Sequence, residues 1–129
     1  MNAAVRYYSR SGNTEAVAKA IASKCKVWAV SCDAENAKIE EPVDILFIGG
    51  ALYAYGIDKN LKAYLQSLDG SLIKKAAIFS TSWMSKHAID LIRKELQAKG
   101  IEVVPETFYV RGKPGDAQLA AAAAFAAKF

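Results

Sequence analysis

The sequence has few of the residues from which cross-links and metal sites are built: two cysteines and one histidine among 129 residues. Cys25 and Cys32 form no C-x-x-C motif, and neither has the arginine six positions later that a phosphatase-type cysteine loop carries. A single histidine leaves no cysteine/histidine metal set to propose. We therefore predict two reduced, structural thiols and no metal site.

Long apolar runs and long charged runs are missing too. The longest apolar tract, 45–57, is interrupted by three glycines and is shorter than the roughly 18 residues of a membrane span. The N-terminus lacks the design of a signal peptide. The net charge is +4, with dispersed Lys and Arg, which is typical of a solvated surface, with a patch that attracts an anionic partner as the alternative. These features predict a cytoplasmic protein with no membrane span and no nucleic-acid partner.

What the sequence does contain is an alternation of strand-like and helix-like segments. Continuously apolar or β-branched runs predict five strands, at 3–8, 26–31, 43–50, 74–81 and 101–110. Apolar residues at helical spacing predict four helices, at 13–24, 58–68, 85–100 and 115–129. The segment 32–42 is short and polar, and predicts a loop with at most one helical turn.

This order of segments predicts one α/β domain, 1–129, built as a three-layer α/β/α sandwich around a five-stranded parallel sheet. Gly100 is well placed to end the third helix. Pro105 predicts a break in the last strand and hence a place at the edge of the sheet. Ligands of such sheets bind at the carboxyl ends of the strands, where the strand order reverses. The loops that follow the strands are therefore the candidate site.

The loop after the first strand has the chemistry of a phosphate site. Gly12 permits a positive φ, and the backbone N–H groups at the start of the next helix favour an anion. A helix cap at Asn13 or Thr14 is the simpler interpretation, but it explains one polar side chain and not four around a glycine. Arg10 either sits over the anion or points to solvent. With neither G-K-[ST] nor G-x-G-x-x-G present, a monophosphate is favoured over a pyrophosphate. The predicted phosphate-binding residues are Ser9, Arg10, Ser11, Gly12, Asn13 and Thr14.

Two further loops, after the third and fourth predicted strands, contain aromatic residues at the same edge of the sheet. A planar ring held between aromatic side chains gains stacking and burial, and glycine lets the backbone approach its polar edge. A single aromatic side chain is more often hydrophobic cover, so the prediction depends on the convergence of three loops. The predicted ring-binding residues are Ala51, Leu52, Tyr53, Ala54, Tyr55 and Gly56 in one loop and Ser80, Thr81, Ser82, Trp83 and Met84 in the other.

Together these loops resemble those of the flavodoxin family, and the resemblance spans essentially the whole chain. The first loop of that family, [ST]-x-T-G-x-T, holds the phosphate of FMN; here Ser11 replaces its central threonine. The segments IGGALYAYG and STSW are similar to the two isoalloxazine-binding loops. The resemblance implies FMN as the cofactor and a flavodoxin-like sheet order of 2-1-3-4-5.

The same resemblance implies an electron-transfer flavoprotein that exchanges electrons with redox partner proteins or with a small-molecule donor or acceptor. Because FMN carries the redox chemistry, no catalytic side chain is expected. The alternative is an FMN-dependent NAD(P)H:quinone reductase or a protoporphyrinogen-oxidase-like oxidoreductase of the same fold. A non-flavin signalling receiver is disfavoured, because the first strand does not end in an acidic pair.

The basic composition, unlike the acidic composition of typical flavodoxins, bears on the reduction potential. Fully reduced FMN can carry a negative charge at N1, and nearby acidic groups disfavour that charge by repulsion. We therefore expect a less negative potential for full reduction than in an acidic flavodoxin.

Overall fold

The structure is a computed structural model that describes residues 2–129; Met1 of the predicted domain lies outside the described residues. Its strands are β1 Ala3–Tyr7, β2 Ala29–Ser31, β3 Ile45–Gly50, β4 Leu52–Tyr53, β5 Gly56–Ile57, β6 Lys75–Thr81 and β7 Glu102–Val110. Its α-helices are α1 Asn13–Cys25, α2 Lys59–Ser67, α3 His87–Ala98 and α4 Asp116–Ala126. Single 3-10 turns occur at Glu35–Ala37 and Gly70–Leu72.

Strands β1, β2, β3, β6 and β7 form one parallel sheet in the order β2-β1-β3-β6-β7. Because β6 and β7 are the fourth and fifth strands of this sheet along the chain, the predicted order 2-1-3-4-5 is confirmed. The chain goes outward from β1 to β2 and then returns to the other side of β1 with β3. The strand order reverses between β1 and β3, which is where such sheets open a ligand crevice.

Strand β3 is apolar at successive positions because both faces of the sheet are covered. Ile45 and Phe47 pack on the face that carries α1 and α4, whereas Leu46 and Ile48 pack on the face that carries α2 and α3. All four side chains are fully buried, and each such burial stabilises the fold by about 1.5–3 kcal/mol. The predicted three-layer α/β/α sandwich is therefore confirmed.

The second strand is shorter than the predicted 26–31. Helix α1 continues to Cys25, and Lys26 closes it in the left-handed region at φ 60°. The backbone N–H of Val27 then donates to the carbonyl oxygen of Ala22, 3.0 Å away. These bonds belong to a helix end, so the strand begins only at Ala29.

Two other segments differ from their predictions. The predicted loop 50–57 contains an antiparallel hairpin, in which Leu52 pairs with Ile57 and Tyr53 with Gly56. Strand β7 lies at the edge of the sheet as predicted, but Pro105 does not break it. The pairing instead shifts between Ala76 with Val103 and Ile78 with Thr107, so the strand passes the proline through a bulge.

The described helices include none that is both long and apolar enough to cross a lipid bilayer.

Candidate functional site

A cleft of about 390 Å³ opens at the carboxyl ends of β1, β3 and β6. All three predicted loops contribute to it, and so does the turn after β7. The residues that line it are Arg10, Ser11, Asn13, Ala51, Leu52, Tyr53, Ala54, Thr81, Ser82, Trp83, Met84 and Gly112. The structure thus brings most of the predicted residues to one surface.

The first loop presents the start of α1 to this cleft. Gly12 precedes the helix with φ 92°, a left-handed conformation that favours glycine. Gly12, the N-cap residue, has no side chain with which to cap the helix, so neither Asn13 nor Thr14 is the cap that a purely structural interpretation requires. The Ser11 hydroxyl accepts from the backbone N–H of Asn13 at 3.5 Å. The hydroxyl of Ser9 accepts from the backbone N–H of Gly12 at 3.0 Å and thereby shapes the loop. Uncapped N–H groups at a helix start attract anions.

Two predicted hydroxyls lie beneath the cleft. The Thr14 and Thr81 hydroxyl oxygens are 2.7 Å apart, and both side chains are buried. The Ser80 hydroxyl donates to the carbonyl oxygen of Gly50 at 2.6 Å. Thr14 and Ser80 therefore connect neighbouring loops. Of Thr14, Ser80 and Thr81, only Thr81 also lines the cleft.

Arg10 is bound by three side chains of the protein while remaining half-exposed. Its Nε and terminal nitrogen donate to the Asp58 carboxylate at 3.0 and 2.6 Å. Its guanidinium carbon lies 3.9 Å from the centroid of the Tyr53 ring, and its terminal nitrogen also donates to the Tyr55 hydroxyl. Arg10 thus ties the first loop to the β4–β5 hairpin.

Asp58 is fixed independently of Arg10. Its other carboxylate oxygen accepts from the backbone N–H of Asn60 at 2.7 Å and so caps α2. Burial by itself would raise the pKa of the Asp58 carboxyl, but the hydrogen bonds from Arg10 and Asn60 outweigh it and hold that pKa below its ordinary value. The same carboxylate, followed by the Tyr55 hydroxyl, raises the pKa of the Arg10 guanidinium. The pair is therefore ionised at neutral pH.

Trp83 also lines the cleft. Its side chain is 67% exposed and covers Gly112, where a Cβ would overlap the indole ring. The Ser82 hydroxyl accepts from the backbone N–H of Met84 at 3.1 Å, and the Tyr109 hydroxyl donates to the Ser82 carbonyl oxygen at 2.5 Å. These two hydrogen bonds fix the loop, while the indole ring of Trp83 stays accessible.

Comparison with known proteins identifies this arrangement. A family model described as a flavodoxin domain matches residues 4–122. The chain belongs to the flavodoxin family. Among curated protein sequences, none matches it.

Solved structures of flavodoxins superpose over nearly the whole chain. Flavodoxin 1 from Bacillus cereus is 26% identical, with a TM-score of 0.79 and coverage of 98% of this chain and 95% of that one. A flavodoxin from the domain Archaea is 24% identical, with a TM-score of 0.77 and coverage of 99% and 95%. Rubredoxin oxygen:oxidoreductase from Desulfovibrio gigas is 18% identical, with a TM-score of 0.84, over 97% of this chain and 34% of that one.

Within this flavodoxin-family fold, Tyr55 and Gly56 lie outside the cleft. They line a neighbouring groove of about 350 Å³ between the hairpin, α2 and α3, together with Leu91 and Lys94. Gly56 has φ 115° and begins β5, directly after the turn of the hairpin. Tyr55 stacks beside Tyr53, with ring centroids 6.1 Å apart, so it supports the ring that does line the cleft.

Sequence reasoning missed two residues of the site. Gly112 belongs to RGKPG, a segment that resembles an ordinary connecting turn, and only its position opposite Trp83 shows its part in the wall. Asp58 is the first acidic residue after the aromatic loop, but its bonds to Arg10 span 48 positions. A glycine two positions before a proline was the available sequence signal for Gly112; Asp58 had only its place before a predicted helix.

Proposed function

We propose that the chain binds FMN in the cleft between Tyr53 and Trp83 and carries electrons between redox partner proteins. Flavodoxin-family proteins generally bind FMN, which supplies one- and two-electron chemistry when bound. The observation that carries the proposal is the meeting of an uncapped helix start with two aromatic walls in one cleft.

The residues of the cleft fit a monophosphorylated planar cofactor. Ser11 and Asn13 offer uncharged polar side chains beside the start of α1, at the phosphate end of the site. Tyr53 and Trp83 offer ring faces for stacking. The volume of about 390 Å³ lies within the range of roughly 300–1,000 Å³ for small-molecule sites. FMN has a phosphate, a flexible chain and a flat ring that match these three features.

The carrier role is supported by the likeness to flavodoxins from Bacillus cereus and from the domain Archaea, each covered over 95% of its chain. Among the described residues that line the cleft, none is a histidine, a carboxylate or a lysine. Arg10 is committed to Asp58 and stays protonated, and burial, the largest cause, raises the pKa of the Tyr53 hydroxyl. The lining residues thus serve to bind and orient the cofactor, which supplies the redox chemistry when bound.

A visible spectrum of the purified protein, followed by calorimetric titration of the apoprotein with FMN and with riboflavin, tests the cofactor. We expect flavin absorption bands and stoichiometric binding of FMN, with weaker binding of riboflavin, which lacks the phosphate. Folded apoprotein that takes up no FMN would refute the proposal.

Kinetics then tests the carrier role. We expect rapid reduction of the bound flavin by a flavodoxin reductase protein and rapid reoxidation by an acceptor protein. Efficient steady-state turnover of NAD(P)H with a quinone, or oxidation of protoporphyrinogen, would refute the carrier role and support the corresponding enzyme activity.

A further inference from the structure

In residues 2–129, the charge that lines the cleft comes from one arginine side chain. Among the residues that line the cleft in the described part of the chain, Arg10 is the sole charged one. Its side chain is 46% exposed, whereas that of Asp58 is 5% exposed and does not line the cleft. A molecule in the cleft therefore meets the guanidinium before it meets the counter-charge.

The guanidinium is also held in place. Arg10 donates two hydrogen bonds to one oxygen of the Asp58 carboxylate. The other carboxylate oxygen accepts from the backbone N–H of Asn60. The Tyr53 ring lies against the guanidinium plane at 3.9 Å. A cation held from several sides keeps its position when the charge of a neighbouring ligand changes, so its field acts without reorganisation.

We propose that Arg10 is the residue that sets the redox preference of the flavin site: its guanidinium favours the fully reduced, anionic form of FMN over the oxidised form. This proposal rests on the proposed function, because it needs FMN in the cleft. A positive charge near a group stabilises the anionic form of that group. The net charge of the chain gave the same expectation in general terms; the structure assigns it to one side chain.

Arg10→Gln removes the charge and keeps a side chain with polar and apolar parts. We expect it to weaken the binding of fully reduced FMN about tenfold more than that of oxidised FMN, as expected for one partly screened unit charge. For a two-electron couple, a tenfold change is about 30 mV, toward a more negative potential. The readouts are the dissociation constant of oxidised FMN and the midpoint potential of the bound flavin.

Lys24→Gln is the matched control. It removes the same charge from an exposed lysine in the last turn of α1, at the opposite end of the helix from the cleft. We expect a potential within a few millivolts of the wild-type value. If Lys24→Gln shifts the potential as much as Arg10→Gln does, net charge and not Arg10 sets it, and the proposal is wrong.

Asp58→Asn separates the effect of the Asp58 charge from the effect of its helix cap. Asparagine still caps a helix, and the change removes the counter-charge of Arg10. The proposal requires the potential of Asp58→Asn to move opposite to that of Arg10→Gln, toward less negative values. If the Arg10–Asp58 pair acted only by holding the two loops together, both variants would shift the midpoint potential in the same direction. That result overturns the proposal.

Binding of FMN and the role of Arg10 are tested by different measurements. If no variant and no wild-type protein binds FMN, the proposed function fails. If the wild type binds FMN and Arg10→Gln leaves the potential unchanged, only the role of Arg10 fails. Arg10→Lys completes the set: it should keep most of the wild-type potential, and a shift equal to that of Arg10→Gln contradicts a role through charge.

Discussion

The hydroxyl oxygens of Thr14 and Thr81 lie 2.7 Å apart, and Thr81 lines the cleft. Thr14 belongs to the first turn of α1 and Thr81 to the last position of β6, and both side chains are almost fully buried. This hydrogen bond connects the loop that presents the helix start to the loop that presents Trp83. The relative position of the start of α1 and of Trp83 therefore depends on it.

Thr81→Val should destabilise the fold, because it leaves the buried Thr14 hydroxyl without its partner. We expect a loss of about 1–3 kcal/mol in the free energy of unfolding, measured by urea denaturation. Thr14→Val should cost a similar amount. The double variant removes both polar groups and should cost clearly less than the sum of the two; additive losses would show that the hydroxyls do not interact.

Gly112→Ala should disturb the wall that Trp83 forms. Gly112 has φ 80°, where an L-residue costs about 1–2 kcal/mol, and the new methyl group would overlap the indole. We expect lower stability, altered tryptophan fluorescence and weaker FMN binding. Gly100→Ala is the control, since Gly100 has φ 73° with open space around its Cβ position. It should lose stability without the change in fluorescence; identical effects in both variants would contradict the contact.

The two tryptophans allow a direct test of the ring-binding wall. Trp83→Ala should weaken FMN binding up to about tenfold, because a lost aromatic stack is worth about 0.5–1.5 kcal/mol beyond its buried area. Trp28→Ala should leave the affinity unchanged, since Trp28 is 88% exposed and lines a groove beside β2. Calorimetry with FMN measures both, and equal losses would remove Trp83 from the site.

The pH dependence of stability should reveal the ionised Asp58. Its folded-state pKa lies below the ordinary value of 3.8, so the carboxylate stabilises the fold at every pH above that value. The stabilisation is lost as the pH falls through the folded-state pKa. Wild type should exceed Asp58→Asn in the free energy of unfolding at pH 7, and the difference should shrink toward pH 3. A difference that does not depend on pH would mean that the charge contributes nothing.

The strands and the two helical layers were predictable because burial leaves a periodic pattern in the sequence. Strand β3 is apolar on both faces, and α2 repeats Leu61 and Leu65 at helical spacing. The resemblance to flavodoxins then implied the order of the strands, which the structure confirms. The hairpin at Leu52–Ile57 could not be predicted, because only two residues of each strand pair and so few positions show no alternation.

The interactions between loops were beyond the sequence for a different reason. Arg10 was left with two orientations, over an anion or toward solvent, and the sequence did not indicate its ion pair with Asp58, 48 positions away. Thr14 was predicted as a phosphate donor, and the sequence did not indicate that its hydroxyl also bonds to Thr81. Such pairings depend on how the loops pack after the sheet has formed, and single-sequence patterns record only local spacing.

The bulge at Pro105 has a consequence for encounters between copies of the chain. An open sheet border with a regular row of N–H and C=O groups invites an incoming strand and starts fibrillar aggregation. Proline has no N–H to offer, and between the pairs at Val103 and Thr107 the strand departs from regular spacing. The opposite border, β2, is only three residues long. Neither flank of this sheet is a good template for ordered self-association.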